Sequence, residues 1–599
     1  MDTTARPGYN NLYHKRLEGC SMINTKKLLE FISYKENPDR EGFILKETAD
    51  DQNKRPQNDN QPAQDEKPSA RRAIKKTSRS GGSRPEEDQM EGEPDAIRAS
   101  LSQNKKIISK LYGLPENKDF VIREFAIGTD SETNCFAVFI DGLTDKAIQD
   151  LLFQALMLFA EKPLPKDKGG LVYLVREHLL PGNQVAVKNL FSDVLTAVNM
   201  GDTAIFLEGS TKALLIETKG WEHRGVERPQ SEQVVRGPQE AFTETLRTNT
   251  ALLRKTIRNE QLTTEMLILG DRTKTIVAIM YLRDLANPDL VAEVKRRLDS
   301  IKTDYIAESG ILSELIEDHP YNLNPTILTT ERPDRVASKI VEGRVAIIVD
   351  GSPFVLVVPT TLYEQLHTGE ESYIRWQYGT YLRYLRALAF LVSFLAPGIY
   401  LAIVLFHHEM IPTELLLAIA GNREKVPFPS LVEVLLMGIS FELIREAGIR
   451  LPGVIGGTIG IVGALILGQA AVQANIVSPF LVILVAITGL ASFAIPDYSL
   501  SFAMRIYSFM YIILGVSLGF FGIAIGIFSQ MALTANLKSF GVPYLAPVGP
   551  RTAGGVDVVY RMPLFSHEKR PDYINPQDIT RQPQVSRGWI KDEDGGKNG

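Results

Sequence analysis

Apolar residues are distributed along this chain in two regimes. Up to about residue 385 they come in short runs bounded by turn residues or spread at helical spacing; beyond it they come in blocks without charge. No Asp, Glu, Lys or Arg lies between Ala387 and His408, in the 46 residues from Leu451 to Pro496, or from Ile506 to Leu537. A helix needs about 20 apolar residues to cross the hydrocarbon core, because backbone polar groups there are satisfied only within the helix. The pattern therefore predicts membrane spans at about 386–407, 453–474, 477–496 and 507–530. The second block holds two of them, broken at Asn475-Ile476-Val477-Ser478-Pro479, residue types that suit an interfacial turn.

Between the first two spans the stretch 427–448 is apolar enough to enter a bilayer but carries Glu433 and Glu442. Carboxylates facing lipid are costly. Nine residues apart, they are separated by about 900° of helix turn and so lie on opposite faces. The segment reads as a re-entrant or interfacial helix, with a fifth crossing as the alternative. Pro427-Phe428-Pro429 at its head must kink a helix or begin one.

In the first regime, alternation of strand and helix patterns predicts an α/β module. Residues 136–140 read as a buried strand, and Thr144 as the N-cap of a helix through Leu156. Hairpins are expected at 203–207 with 213–217 and at 345–349 with 354–358, turning at Glu208-Gly209-Ser210 and Asp350-Gly351-Ser352-Pro353. Their likeness leaves open whether the module contains two related halves. Strands are expected at 266–269, 276–281 and 326–328. Asn287-Pro288 opens a helix with Leu290, Val291, Val294, Leu298 and Ile301 on one face, and a helix over 334–341 stops at Gly343. A break is expected near 185–200 or 235–255. Residues 44–111 contain no aromatic residue, and 51–95 is so polar that it cannot offset its chain entropy and reads as disordered.

The resulting organisation is a polar extension (1–95), two α/β subdomains (96–235 and 236–372), a membrane domain (373–537) and a polar C-terminal tail (538–599). The fold class is a multidomain membrane protein, a cytosolic two-part α/β module followed by an all-α bundle of four transmembrane helices, or five if 427–448 crosses. A net charge of −5 gives no reason to expect nucleic acid, and two distant cysteines, Cys20 and Cys135, make no disulfide framework. The first residues lack the apolar core of a secretory signal, and Arg375, Arg383 and Arg386 precede the first span. Both place the module on the cytosolic side, and an even number of crossings would return the tail to it.

No catalytic signature is present: there is no Walker A loop, no dinucleotide glycine fingerprint after a strand and no nucleophile elbow. His407-His408-Glu409 lacks the second histidine of a zincin helix. No enzyme activity, cofactor or metal is expected. Inside the second span Gly456, Gly460, Gly463, Ala464, Gly468, Ala471 and Asn475 recur at steps of about one helical turn. Such a stripe lets helices pack closely. With Gln469 and Gln473 it could equally line a pore or slide against a neighbour. Gly456, Gly460, Gly463, Gly468, Gln469, Gln473, Glu433 and Glu442 are therefore the pore or gating candidates.

One polar segment, Arg224 to Glu244, is punctuated by glycine and proline and carries both charge signs. Physics alone makes it a surface loop fit for contacts, with Arg224, Glu227, Pro229, Gln230, Arg236, Gly237 and Pro238 as partner-contact candidates. Together with Glu331–Val336, Glu342–Phe354, Pro427–Pro429, Glu442–Pro452 and Gly468–Val472, it resembles the A subunits of GerA-type spore germinant receptors. The resemblance covers about 100–550. It implies a receptor in the inner membrane of the spore, working with a transporter-like B subunit and a lipoprotein C subunit. It also implies a homo-oligomer whose membrane part conducts ions when nutrient binds. A membrane-anchored scaffold without a pore is the competing reading. A secondary transporter fits less well, since such carriers show paired inverted repeats.

Overall fold

The computed structural model describes residues 95–127, 133–158, 172–173, 175–180, 185–220, 228–229, 232–450, 466–552 and 556–582. The extension before Asp95, including the disorder expected there, lies outside the described residues.

The first sheet is built from β1 (Phe120–Ile127), β2 (Thr133–Ile140), β3 (Val185–Lys188), β4 (Thr203–Leu207) and β5 (Ala213–Ile216), in the order β1-β2-β4-β5-β3 with every ladder antiparallel. β4 and β5 are buried on both faces, which is why they read as unbroken apolar runs rather than alternating ones. Helices α1 (Leu101–Tyr112) and α3 (Phe191–Asn199) cover one face through Ile108, Tyr112, Phe191 and Val194; α2 (Lys146–Leu158) covers the other through Leu152, Phe153 and Leu156. The α2 cap is not Thr144. Asp145 Oδ1 accepts the amides of Ala147 and Ile148 at 2.8 and 3.2 Å, while Thr144 forms a bridge to Lys219. A carboxylate gains more from the positive end of a helix than a hydroxyl does.

The second sheet has the same connectivity. β6 (Leu262–Leu269), β7 (Thr275–Leu282), β8 (Leu328–Thr330), β9 (Val345–Val349) and β10 (Val355–Val358) run in the order β6-β7-β9-β10-β8. The two hairpins β4-β5 and β9-β10 thus occupy equivalent places in two sheets of one topology. α4 (Leu246–Thr256) and α7 (Pro333–Val341) cover one face, and α5 (Pro288–Asp299) and α6 (Ser309–Ile316) the other. α5 begins as expected, with the Asn287 side chain accepting the Asp289 amide at 2.9 Å and Pro288 in the first turn. α7 ends where Gly343 takes a φ of 100°, a conformation that suits glycine. Of the two places offered for a break, 185–200 holds β3 and α3 inside the first sheet, whereas 235–255 falls between the sheets. The halves are locked by Arg254 of α4, 3% exposed, whose guanidinium donates to Asp119 and Asn117 at 3.0 and 2.9 Å.

Beyond α8 (Leu362–Gln365) the chain enters a helical bundle through α9 (Trp376–Phe406), which spans 31 residues, about 46 Å. α10 (Thr413–Arg423), α11 (Ser430–Arg450), a helix over 466–473, α12 (Pro479–Phe493) and α13 (Tyr498–Ala535) follow. Among the described residues, α9 and α13 are the two helices long and apolar enough to cross a membrane; α12 is apolar but has 15 residues. The stretch 427–448 forms a continuous helix that follows Pro429 and runs beside α12 in the same direction, Glu433 meeting Ser478 and Arg445 meeting Ser492.

The single long helix expected over 507–530 is also corrected. At Gly519, with φ 60° and ψ −140°, α13 reverses on itself. Its second arm returns along the first, so that the Tyr511 hydroxyl donates to Gln530 at 2.7 Å across the hairpin. A Cβ at 519 would sit 3.0 Å from the His407 ring and 3.2 Å from Phe406. Both arms are predominantly apolar on either side of Gly519, so hydropathy alone carries no trace of the reversal. The returning arm delivers residues 538–582 onto the sheet module. The polar tail expected there instead contributes Phe540, Val542 and Ala546 to the core under α5 and α6, and Tyr573 packs against that core. Residues 583–599 lie outside the described part.

Candidate functional site

The residue types that stood out in sequence converge where the sheet module meets the bundle. Arg332, the residue preceding α7, is fully buried and donates to the carbonyls of Glu232 and Pro238 at 3.2 and 3.0 Å and to Asp334 at 2.9 Å. Arg335 pairs with the Glu232 carboxylate at 3.1 Å. The loop over 232–238 is therefore pinned by α7, so two segments about 100 residues apart form one structural unit. Gly237 faces Tyr373, where a Cβ would lie 2.6 Å from the ring. Tyr373 in turn donates to Asp334 at 2.6 Å. Of the partner-contact candidates, Pro229 is buried, Arg236 and Pro238 are exposed, and Gly237 is half-buried. Arg224, Glu227 and Gln230 lie outside the described residues.

From this unit a chain of ion pairs leads into the first bundle helix. Glu371, 3% exposed at its side chain, accepts from Arg383 at 2.6 Å and from Arg386. Arg386 also donates to Thr368 at 3.0 Å, and Arg383 to the Asp557 carbonyl. Burial raises the Glu371 carboxyl pKa, but the Arg383 and Arg386 guanidiniums outweigh it and hold it below the usual range. His367 is pushed down to about 3, first by burial and then by Arg383. The neutral imidazole meets the Val558 carbonyl through Nε2 at 2.9 Å. Arg561 closes the joint by donating to the Ile374 carbonyl at 2.8 Å.

A second buried pair lies one layer deeper. Arg344, fully buried, donates to Glu364 at 2.6 Å through Nη1 and again through Nη2, and to the Pro359 carbonyl. Lys339 and Tyr573 reach the same carboxylate at 3.3 and 3.2 Å. Burial raises the Glu364 carboxyl pKa, but Arg344 and Lys339 draw it down to about 2. Sequence reasoning missed this pair and Glu371. The usable signal was an arginine between Gly343 and a fully apolar strand, since a charge there needs a buried counter-ion.

In the bundle, Glu433 is 3% exposed and accepts the amide of Ser478 at 3.0 Å, the residue whose side chain caps α12. Glu442 faces the opposite side of α11 and meets Arg505 of α13 at 2.9 Å. Pro427-Phe428-Pro429 immediately precedes α11, whose first turn uses the Pro429 carbonyl to accept from Glu433 at 3.1 Å. Gly468 and Ala471 face inward, Gly468 toward Val482, whereas Gln469 and Gln473 share the exposed face of the 466–473 helix. Gly456, Gly460 and Gly463 lie outside the described residues. Closer glycine contacts lie elsewhere in the bundle. A Cβ on Gly515 would sit 2.4 Å from the Gly398 carbonyl oxygen, and one on Gly398 2.5 Å from the Tyr511 oxygen. Here α9 and the first arm of α13 touch backbone to backbone. Among the described residues no group of three or more His, Cys, Asp or Glu could hold a metal ion.

A family model described as Bacillus/Clostridium GerA spore germination protein matches residues 106–573. The chain is 40% identical to spore germination protein KA of Bacillus subtilis (strain 168), over 84% of this chain and 94% of that one. It is 37% identical to spore germination protein GerLA of Bacillus cereus, over 82% and 98%. Among solved structures it is similar to the N-terminal domain of the A subunit of the Bacillus megaterium spore germinant receptor GerK3. That match has 35% identity, covers 44% of this chain and 95% of that one, and has a TM-score of 0.35.

Proposed function

This chain belongs to the Bacillus/Clostridium GerA spore germination family, and on that basis we propose that it is the A subunit of a nutrient-responsive germination receptor. In this reading its bundle, assembled in several copies, forms the ion-conducting part that opens when germinant binds the receptor complex. Its partners are a transporter-like B subunit and a lipoprotein C subunit.

One observation carries the conducting role. Gln469 and Gln473, one turn apart, point outward from the 466–473 helix beside the exposed Ile466 and Leu467. An amide facing lipid has no hydrogen-bond partner, but it suits water held between neighbouring copies. Glu442, with two arginines beside it, offers little to a passing cation, so the glutamines are the stronger pore candidates. The ion-pair joint from Glu371 to Arg383 and Arg386 fits a gate worked from the sheet module, because these groups lie at the entry of α9. The test is ion flux into liposomes containing the purified chain, alone and with its B and C subunits. We expect the Gln469→Leu/Gln473→Leu double variant to lose most of the parental flux at equal incorporation. Equal flux would remove the glutamines from the path, and no flux under any condition would favour a scaffold.

We assign α9, α11, the 466–473 helix, α12 and both arms of α13 to the bilayer of the spore inner membrane, with the sheet module on the core side. Whatever the depth of each helix, an even number of passages is required, since the chain leaves the module at α9 and rejoins it at Leu537. In a chain with Cys20 and Cys135 replaced by serine, Lys569→Cys should therefore resist membrane-impermeant maleimide in intact membranes and react after permeabilisation. Labelling in intact membranes would reverse the assignment.

A further inference from the structure

Two arginines and one carboxylate meet where α9, α11, α12 and α13 converge. Arg445 of α11 donates to the Ser492 hydroxyl at 2.6 Å and lies over the rings of Phe493 and Phe441 at 4.5 and 5.2 Å. It approaches Glu442 only to 3.6 Å. That carboxylate is taken by Arg505, which donates to it at 2.9 Å and stacks on Phe502 at 4.8 Å. One negative charge serves two positive ones. Glu446, the next acid on α11, is on its exposed side.

Arg445 is not fully satisfied. Its side chain is only 8% exposed, yet its Nε has no hydrogen-bond partner. It borders a cavity of about 60 Å³, which Arg505, Glu442 and the Ser393, Thr488 and Ser508 side chains also line. Gly438 and Gly489 keep the same space open. A buried guanidinium with a vacant donor is costly until an acceptor fills it. Its planar fork matches an anion with two adjacent oxygens, and charge-assisted bonds of that kind are among the strongest. The space accommodates a group of a few heavy atoms.

We propose that this intramembrane pocket binds a small monovalent anion of the carboxylate type, which neutralises the excess charge of Arg445 and Arg505 and ties α11 and α12 to α13. The site does not depend on conduction. It is assigned from its own charge balance, and its occupancy is measured without flux.

The experiment uses the full chain, purified in a zwitterionic detergent and kept at constant ionic strength with gluconate, an anion too large for the cavity. Formate replaces gluconate stepwise while thermal unfolding is followed. A saturable rise in Tm is expected for the parent. The rise should vanish in Arg445→Gln and weaken in Ser492→Ala, whose change is too small to threaten folding. As a measurement on the parent alone, the signal of ¹³C-formate should broaden with protein and sharpen again with excess unlabelled formate. A linear or absent response, or an equal one in Ser492→Ala and Arg445→Gln, overturns the site. A response abolished by added phosphatidylglycerol also overturns it, because a lipid headgroup phosphate would then be the occupant.

Discussion

Spores carrying Gly515→Leu should fail to germinate on nutrient while still holding a sheet module that folds. At this point the backbones of α9 and α13 are in direct contact, with 2.4 Å between a Cβ built on Gly515 and the Gly398 oxygen. Neither element is a flexible side-chain tip that could swing away, so the helices must separate. Overpacking in a well-filled core costs about 1–3 kcal/mol, occasionally more. Leucine here adds four carbons where not even one fits. The displacement would reach the reversal one turn on, where Gly519 packs against His407 and Phe406. Gly421→Leu is the matched control, since a Cβ there meets nothing within 4 Å. The measurement is loss of spore refractility after nutrient, at membrane protein levels matched by immunoblot. Parental germination of Gly515→Leu spores would show that this contact is dispensable. Gly468→Leu should be milder, because its nearest neighbour is a Val482 methyl at 3.4 Å.

The second large effect is expected of Arg344→Ala. Removing the guanidinium leaves the Glu364 carboxylate buried without its closest partner, held by Lys339, Tyr573, the Thr360 hydroxyl and the Thr361 amide at 3.2–3.3 Å. Breaking a buried pair from one side costs about 3–5 kcal/mol, whereas replacing both partners by apolar groups is often neutral. Thermal unfolding of the full chain should therefore fall sharply in Arg344→Ala. Arg344→Met/Glu364→Leu should recover much of the loss, and a double variant as unstable as the single would reject the pair as its source. pH provides an independent reading. The Glu364 carboxyl titrates at about 2 in the folded chain against 4.5 for an ordinary glutamate. The unfolded state therefore takes up its proton first, so this stabilisation is complete above pH 4.5 and drains away as the pH falls toward 2. Arg344→Ala should flatten that acid slope.

The sheet module was largely legible because its central strands are buried on both faces. Residues 203–207 and 345–349 form unbroken β-branched and aliphatic runs, and both are strands with those bounds. The missed strands, β1 and β3, lie at the sheet edge. β1 carries Arg123 and Glu124, both exposed and on opposite faces, which breaks the apolar pattern, and β3 is four residues long. In the bundle the limit was different. Hydropathy finds apolar segments but reports neither direction nor reversal. Gly515, Gly519, Gly522 and Gly526 repeat the one-turn spacing that drew attention to the stripe around Gly460 and Gly468. Read the same way, they would have marked the contact with α9 and the hairpin. Glu433 illustrates the opposite case. A carboxylate in an apolar helix announces that it has a partner, but not that the partner is a backbone amide 45 residues away.

The docking of Phe540, Val542 and Ala546 beneath α5 and α6 has a consequence for biosynthesis. A ribosome delivers the two parts of that one apolar layer with the whole bundle between them. Until the later part arrives, the module presents an open notch on its second sheet, a surface a chaperone could hold. On the proposed topology its closure coincides with the return of the last bundle helix to the starting side, so threading of the bilayer and completion of the soluble core would be a single event, and a wrongly threaded chain would keep its notch open.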